Sequence, residues 1–314
     1  MKIAIERFKR FSLLATLVTY FLIFVGGLVR VSGAGLGCPD WPKCFGRWLP
    51  PMTAAQLPPE MDPYIFNFAL AWIEYINRMI GVIVGLLILV VAFLAVKNFL
   101  KNWRISLVSM VALLLTAFQG WLGGAVVASE LKPWVVSAHM VVAFIIVSLL
   151  VYVTMQAYRL ASPPDEAKTA YPAKIKFWLG LLWVLTVVQV LLGTQVREAV
   201  ETVAAKMPLL SELEMLAEVG AMKYIHLVLG LLVAGTTLVI VRSLLSKKRM
   251  PSPLAWQGGW TMAGLVIIQL ALGVLMYYVG LPAVMQVLHM WVASLLVGVI
   301  LVTFSEVSPR EARQ

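Results

Sequence analysis

Long, almost uninterrupted apolar stretches recur along this chain, separated by short polar segments. A membrane-spanning helix needs roughly 20 consecutive apolar residues, and each stretch reaches that length. The pattern therefore predicts eight membrane-spanning helices, at about residues 11–31, 66–96, 105–128, 134–158, 177–197, 217–241, 256–279 and 283–304. The second and sixth stretches exceed what a bilayer requires, so their first turns are expected to project beyond the membrane as amphipathic helix.

Composition supports a membrane protein. Hydrophobic residues make up 61% of the chain and charged residues 13%, and the mean hydropathy is +0.91, whereas soluble domains carry about 25% charged residues. The net charge of +10 comes from short basic clusters between apolar stretches. That distribution is typical of membrane orientation signals. We therefore predict membrane lipid, and no nucleic acid, as a partner.

The basic clusters also predict the orientation of the helices, because cytoplasmic loops carry an excess of Lys and Arg. They lie at the N-terminus and after the second, fourth and sixth stretches. Their members are Lys2, Arg7, Lys9 and Arg10; Lys97, Lys101 and Arg104; Arg159, Lys168, Lys174 and Lys176; and Arg242, Lys247, Lys248 and Arg249. Both termini are therefore expected in the cytoplasm. The outer loops are then 32–65, 129–133, 198–216 and 280–282.

The two halves of the chain repeat each other in order. "GGLVRVSG" at the end of the first stretch corresponds to "GTQVREAV" at the end of the fifth, and "EYINRMIGVIVGLL" in the second corresponds to "KYIHLVLGLLVAG" in the sixth. Similar pairs relate the third to the seventh and the fourth to the eighth. Each half has an even number of spans, so both insert the same way up. We predict an all-α fold of two pseudo-symmetric four-helix bundles, at 1–160 and 173–314, joined by a cytoplasmic linker at 161–172.

Histidine occurs three times, as His139, His226 and His289, each early in an even-numbered span. Counting to the first cytoplasmic charge places all three roughly 24–30 Å from the inner surface, at 1.5 Å per residue. Ionisable residues within membrane helices usually face the bundle interior. We therefore predict that His226 and His289 hold one haem iron between them. Hydrogen bonding to a neighbouring helix is the alternative.

The first half differs from the second at this level. It has His139, but Asn77 stands where the repeat predicts another histidine. An amide oxygen is a poor ligand for haem iron, so the first site is predicted to bind haem through His139 alone and to leave one iron face open. A site that binds nothing is the alternative. Glu74, on nearly the same helix face as Asn77, is a candidate to transfer a proton or to stabilise a developing positive charge; a salt bridge with Arg78 is the alternative.

Other polar residues lie at helix ends and inside spans. Arg30, Arg78 and Arg197 are placed at outer helix ends, where their guanidinium groups match haem carboxylates; interfacial snorkelling is the alternative. The residues expected only to bridge helices are Gln119, Gln189 and Gln269.

Both cysteines of the chain, Cys38 and Cys44, fall in "GLGCPDWPKC" in the first predicted outer loop. We place this loop in an oxidising compartment, so a disulfide is expected. The pair is either a loop staple or a redox pair that passes electrons or holds a substrate covalently for a time.

Together these stretches resemble the haem A synthase family. The similarity rests on "GGLVRVSGAGLGCPDWPKC", "EYINR", "QGWLGGAVV", "LGTQVR" and the histidines of spans four, six and eight, and it covers nearly the whole chain. It implies two pseudo-symmetric four-helix bundles in the inner (plasma) membrane. It also implies an enzyme that oxidises the C8 methyl group of haem O to the formyl group of haem A, for cytochrome oxidase assembly.

The resemblance further implies the roles of individual residues. A haem b cofactor would lie between His226 and His289, and the substrate haem would bind His139 with Glu74 as a catalytic residue. The family's outer-loop cysteine pair matches the pair in this chain. The family's first substrate histidine, however, is Asn77 here, so either His139 alone holds the substrate or the chemistry is altered.

Two other functions remain open from the sequence. One is a b-type haem protein that only transfers electrons, and the other is a membrane thiol–disulfide oxidoreductase that uses Cys38 and Cys44. Haem O synthase and a second copy of this chain are candidate partners. The haem sites and the cysteine loop are expected on the extracytoplasmic side.

Overall fold

The computed structural model describes residues 2–162, 171, 173–246 and 252–307, and their regular structure is helical. The helices are α1 (Lys2–Val31), α2 (Phe68–Phe99), α3 (Trp103–Ala128), α4 (Pro133–Ala161), α5 (Ala173–Lys206), α6 (Glu212–Glu218), α7 (Met222–Leu244), α8 (Pro253–Val279) and α9 (Ala283–Val307). Within the described ranges, all of these except α6 are long and apolar enough to cross a membrane. The eight predicted spans and the all-α fold are therefore confirmed, and the chain is a multi-pass membrane protein.

Two boundaries in the second half differ from the sequence prediction. Helix α5 continues to Lys206, so residues 198–206 are helical and not part of a loop. The sixth predicted stretch is also interrupted, because α6 and α7 are separate helices with Gly220 between them. Helix α6 has its own start: the Ser211 hydroxyl accepts the N–H of Glu214, whose carboxylate accepts the N–H of Ser211.

The chain divides into two compact units, Met1–Val153 and Thr154–Gln314. The boundary falls within α4, and the predicted linker at 161–172 lies almost entirely outside the described residues. In the first unit, α2 packs against both α1 and α3. In the second unit, α5 packs against α7 and α9, and α8 packs against the same two helices, so the four form a closed circuit. Pseudo-symmetry and cytoplasmic termini stay predictions.

The second unit has a continuous buried core at the centre of that circuit. Its fully buried side chains are branched or long apolar residues, including Leu182 of α5, Ile240 of α7, Met262 of α8 and Ile300 of α9. Helices in lipid associate mainly through such packing, since lipid chains are as apolar as the side chains themselves. The core holds the four helices in the arrangement that positions the histidines described below.

Candidate functional site

The segment between α1 and α2 is closed by a disulfide between Cys38 and Cys44, whose sulfur atoms are 2.04 Å apart. Both residues are buried. The carboxylate of Asp40 accepts the main-chain N–H groups of Phe45 at 2.6 Å and Gly46 at 2.9 Å, which fixes the return of the chain after the second cysteine. The predicted disulfide is confirmed, and we call residues 38–44 the disulfide loop.

Glu74 of α2 extends into the disulfide loop and is only 4% exposed. Its Oε2 accepts the main-chain N–H of Cys38 at 2.8 Å. Its Oε1 pairs with the guanidinium of Arg78, one turn further along α2. The alternative of a salt bridge between these two side chains is therefore realised. The contact with Cys38 was not predicted, and it puts a buried carboxylate directly beside a disulfide-bonded residue.

Arg78 fastens the disulfide loop to α2. Its Nη1 donates to the main-chain oxygens of Asp40 at 2.9 Å and Lys43 at 2.8 Å, and its Nη2 lies 3.5 Å from that of Cys38. A guanidinium has five N–H donors in a rigid fork, and here most of the fork serves main-chain carbonyls and Glu74. The structure thus gives this residue a role in loop attachment that the sequence did not indicate.

The other two predicted arginines lie on the odd-numbered helices of each unit. Arg30 is in the last turn of α1, as predicted. Arg197 lies well inside α5, because that helix continues further than expected. Its Nε donates to Glu201 at 2.8 Å, and its Nη1 donates to the side-chain oxygen of Gln286 on α9. Arg197 therefore links α5 to α9.

His226 of α7 and His289 of α9 are brought together in the second unit. Their ring centres are 6.4 Å apart and their planes make an angle of 55°. A transition metal bound to two imidazoles at about 2 Å each would place the ring centres about 6 Å apart. The Nδ1 atom of each ring is buried and has no hydrogen-bond partner among the described residues, a situation that calls for a physical explanation. These residues fit a haem held between two histidines.

Each of the three histidines lies against a glycine of a neighbouring helix, which is α5 for His226, α8 for His289 and α3 for His139. The distance from an added Cβ to the imidazole Cε1 would be 3.1 Å for Gly193 and His226, 3.5 Å for Gly273 and His289, and 3.4 Å for Gly123 and His139. Between α1 and α2, a Cβ on Gly26 would lie 3.8 Å from the Oδ1 of Asn77. That oxygen is buried and without a hydrogen-bond partner in the described part of the chain. The glycine pairs in "GGLVR" and "QGWLGG" suggest close approach of helices or of a flat ring from the sequence alone, but the sequence did not connect any glycine with a particular histidine.

Lys223 occupies the repeat position that corresponds to Glu74. Its Nζ donates to the main-chain oxygen of Leu216 at 3.0 Å and to that of Ala217, at the end of α6. The carboxylate in the first unit binds a main-chain N–H, and the ammonium in the second unit binds main-chain carbonyls. Both units therefore use this position to attach a segment outside the membrane spans, with opposite charge.

Across the described ranges, no three or more His, Cys, Asp or Glu side chains gather into a cluster for a single metal ion. The histidines are distributed over separate helices, with glycines opposite them. Fold and site together define a class, that of polytopic helical membrane proteins with paired histidines suited to a metal-carrying ring between helices.

The chain belongs to the COX15-CtaA family of cytochrome oxidase assembly proteins, whose family model matches residues 9–301. It is 34% identical over 162 residues to a protein named Heme A synthase from Shewanella oneidensis, an alignment that covers 49% of this chain and 47% of that protein. It is 24% identical over 322 residues to a Heme A synthase from Wolbachia pipientis wMel, with 91% and 88% covered. The family resemblance found in the sequence is confirmed.

Proposed function

We propose that this chain is a haem A synthase-like oxidoreductase that converts haem O to haem A for cytochrome oxidase assembly. The reaction oxidises the C8 methyl group of the substrate to a formyl group. Membership of the COX15-CtaA family over residues 9–301 supports this function. So does the similarity, over nine-tenths of the chain, to a protein named Heme A synthase. The structural observation that carries the proposal is the pair of imidazoles 6.4 Å apart in the second unit.

In the second unit, His226 and His289 would hold a haem b cofactor. Haem b in such a site supplies one-electron transfer. Arg197 is the partner of a haem carboxylate, because its guanidinium carries five N–H donors, more than its contacts with Glu201 and Gln286 use.

In the first unit, His139 binds the iron of the substrate haem. Asn77 faces the opposite side of the haem and provides no strong ligand to the iron. Arg30 pairs with the substrate's carboxylates. The predicted pairing of Arg78 with them is disfavoured, because both of its Nη groups already bind Glu74 and the disulfide loop. Glu74 is the catalytic carboxylate: it takes or donates a proton beside the substrate, or stabilises positive charge that develops there. Its hydrogen bond from Cys38 supports the view that the disulfide loop keeps this carboxylate in place.

The membrane orientation follows from the basic clusters. The disulfide loop and both haem sites lie toward the extracytoplasmic side of the inner (plasma) membrane, where an oxidising compartment maintains the disulfide. Haem O synthase, which would supply the substrate, and a second copy of the chain are the proposed protein partners.

The test is co-expression with a haem O synthase in cells that lack haem A, followed by chromatography of the extracted haems. Haem A in cells with the wild-type chain, and haem O alone with Glu74→Gln, is the expected result. Unaltered haem O with haem B bound to the wild-type chain would instead favour the electron-transfer protein. Loss of function in Cys38→Ser together with tolerance of His226→Ala would favour the thiol–disulfide oxidoreductase.

A further inference from the structure

A common arrangement recurs in the helix pairs α1–α2, α3–α4, α5–α7 and α8–α9. In three of them, the first helix carries a glutamine four residues before the glycine that faces the histidine. The three sets are Gln119, Gly123 and His139; Gln189, Gly193 and His226; and Gln269, Gly273 and His289. The first pair has Leu22, Gly26 and Asn77 in these places. Leucine thus replaces the glutamine in the one pair in which asparagine replaces the histidine.

Two of the glutamines contact the main chain of the histidines themselves. The Nε2 of Gln189 donates to the main-chain oxygen of His226 at 2.8 Å, and the Nε2 of Gln119 donates to that of His139 at 3.0 Å. The Oε1 atoms of both glutamines are buried and have no hydrogen-bond partner in the residues described. The NH₂ group is therefore the end of each side chain that is used.

The amide of Gln189 also selects the form of the imidazole. A main-chain carbonyl can only accept, so the glutamine must present its NH₂ group here. The same nitrogen lies 3.3 Å from the Nε2 of His226. An amide nitrogen only donates, so this contact is a hydrogen bond in the tautomer whose Nε2 accepts. A neutral imidazole has one donor and one acceptor nitrogen, so Nε2 carries the lone pair and Nδ1 carries the hydrogen. A metal ion binds an imidazole through such a lone pair, so an iron would take the place of this amide N–H, while the bond from the amide to the main-chain oxygen of His226 stays.

The helix that carries the histidine leaves room for this amide. A Cβ on Gly230, one turn after His226, would lie 3.0 Å from the Nε2 of Gln189. The corresponding residues of the other three pairs are also small, namely Gly81, Ala143 and Ala293. The glutamine therefore fits into a site prepared by both helices of its pair.

We propose that Gln119 and Gln189 are positioning residues for the haem-binding histidines of their helix pairs, with Gln269 in the same place beside His289. The amide fixes the position of the histidine along the neighbouring helix through its bond to the main-chain oxygen. The glycine one turn later admits the ring. The inference rests on the haem sites proposed above. In the first pair, Leu22 occurs together with Asn77, so there is no imidazole to position.

The experiment compares Gln189→Leu with Thr194→Ala in the full-length chain, purified from haem-replete cells. Leucine was chosen because Leu22 occupies the corresponding position in α1. Thr194 is a matched control because its hydroxyl bonds within α5, to the oxygen of Leu191. The measurements are haem content, the low-spin ferric EPR spectrum, which reports the mutual orientation of two axial imidazoles, and the rate of haem transfer to apomyoglobin.

We expect Gln189→Leu to bind haem b with shifted or broadened g-values and about two- to tenfold faster haem loss, the effect of removing one buried hydrogen bond. Thr194→Ala should match the wild type. If Gln189→Leu also matched the wild type in spectrum and haem loss, the positioning role would be wrong. A wild-type chain without bound haem would instead overturn the haem sites themselves.

A second pair of variants tests the same role in the first unit and does not depend on the folding of Gln189→Leu. Asn77→His alone should give a heterogeneous ferric spectrum, since Leu22 cannot hold the new ring. Asn77→His combined with Leu22→Gln should give one sharp species. Identical spectra from the single and double variants would contradict the proposal.

Discussion

Gly37 should not tolerate even a single methyl group. Its backbone angles, φ −64° and ψ −25°, suit any residue, so conformation does not require glycine. The requirement is spatial, because Gly37, directly before the disulfide loop, lies against the main chain of α2. An added Cβ would overlap the main-chain oxygen of Leu70 and would lie 2.5 Å from its carbonyl carbon and 2.8 Å from the nitrogen of Ala71. Backbone atoms inside a helix cannot rotate away as a side chain can.

The size of the effect follows from these distances. Ordinary van der Waals contact begins at 3.4 Å, so the loop must move by about 0.9 Å. Cys38 is the next residue, and its 2.8 Å hydrogen bond to Glu74 would lengthen to about 3.7 Å, which is no longer a hydrogen bond. A hydrogen bond to a charged group contributes about 1.5–3 kcal/mol. The fraction of molecules in which Cys38 holds the Glu74 carboxylate in place should therefore fall by a factor of about ten to a hundred.

The assay for Gly37→Ala is the yield of haem A in the co-expression experiment, together with thiol alkylation to follow the disulfide. We expect a strongly reduced yield, with the haem spectrum of the second unit unchanged. Gly35→Ala is the matched control, because its Cβ would approach only the flexible side-chain end of Leu131, at 3.1 Å. Wild-type yield from Gly37→Ala, with the disulfide formed, would refute the reasoning that the loop positions Glu74.

Three further substitutions test other contacts. Gly193→Ala puts a Cβ 3.1 Å from the Cε1 of His226, so the ring must shift and the haem content and spectrum of the second unit should change. Gly258→Ala brings a Cβ against the hydroxyl of the fully buried Thr303 on α9, and overpacking of this kind typically costs about 1–3 kcal/mol, measurable as a lower unfolding temperature in detergent. Ser211→Ala removes the cap of α6, worth about 1 kcal/mol, and should speed hydrogen exchange in that helix.

Two glycines provide controls for these substitutions. A Cβ on Gly180 or Gly264 would meet nothing within 4 Å. Alanine there should leave haem binding unchanged and stabilise the helix slightly, since glycine is about 1 kcal/mol less favourable than alanine inside a helix. If Gly193→Ala or Gly258→Ala behaved like these controls, the close approach of neighbouring helices would not be the reason for glycine at that position. Unchanged exchange in Ser211→Ala would show that the cap does not hold α6.

The eight spans could be predicted because a bilayer imposes both the length and the apolar character of a helix. That constraint ends at the membrane surface, where the predictions were wrong. Helix α5 continues to Lys206, and the separate helix α6 begins with a local cap. Ser211 and Glu214 form a capping box that is visible in the sequence, but it lies inside a region that hydropathy alone assigned to a loop.

The candidate site was predictable where the repeat supplied a comparison. His226 and His289 were expected to face each other, and they do. The partner of Glu74 was not predictable, because the main-chain N–H of Cys38 lies 36 residues away along the chain and any residue supplies such a group. The glutamines were expected only to bridge helices. Their spacing of four residues from a glycine was a signal in the sequence, but its meaning depends on which atoms the amides reach.

The attachment of Arg78 to the main chain of Asp40 and Lys43 has a consequence for the chemistry of the sulfur pair. These carbonyls belong to residues between the two cysteines. The contacts that attach the loop to α2 therefore do not require the covalent bond between the sulfur atoms. A reductant would therefore free two thiols that stay neighbours. Reoxidation would need no search through loop conformations, because the contacts with α2 already hold the ends of the loop together and so remove the entropic cost of closing it. We therefore expect the bond to open and close as a local event, with little change in the surrounding structure.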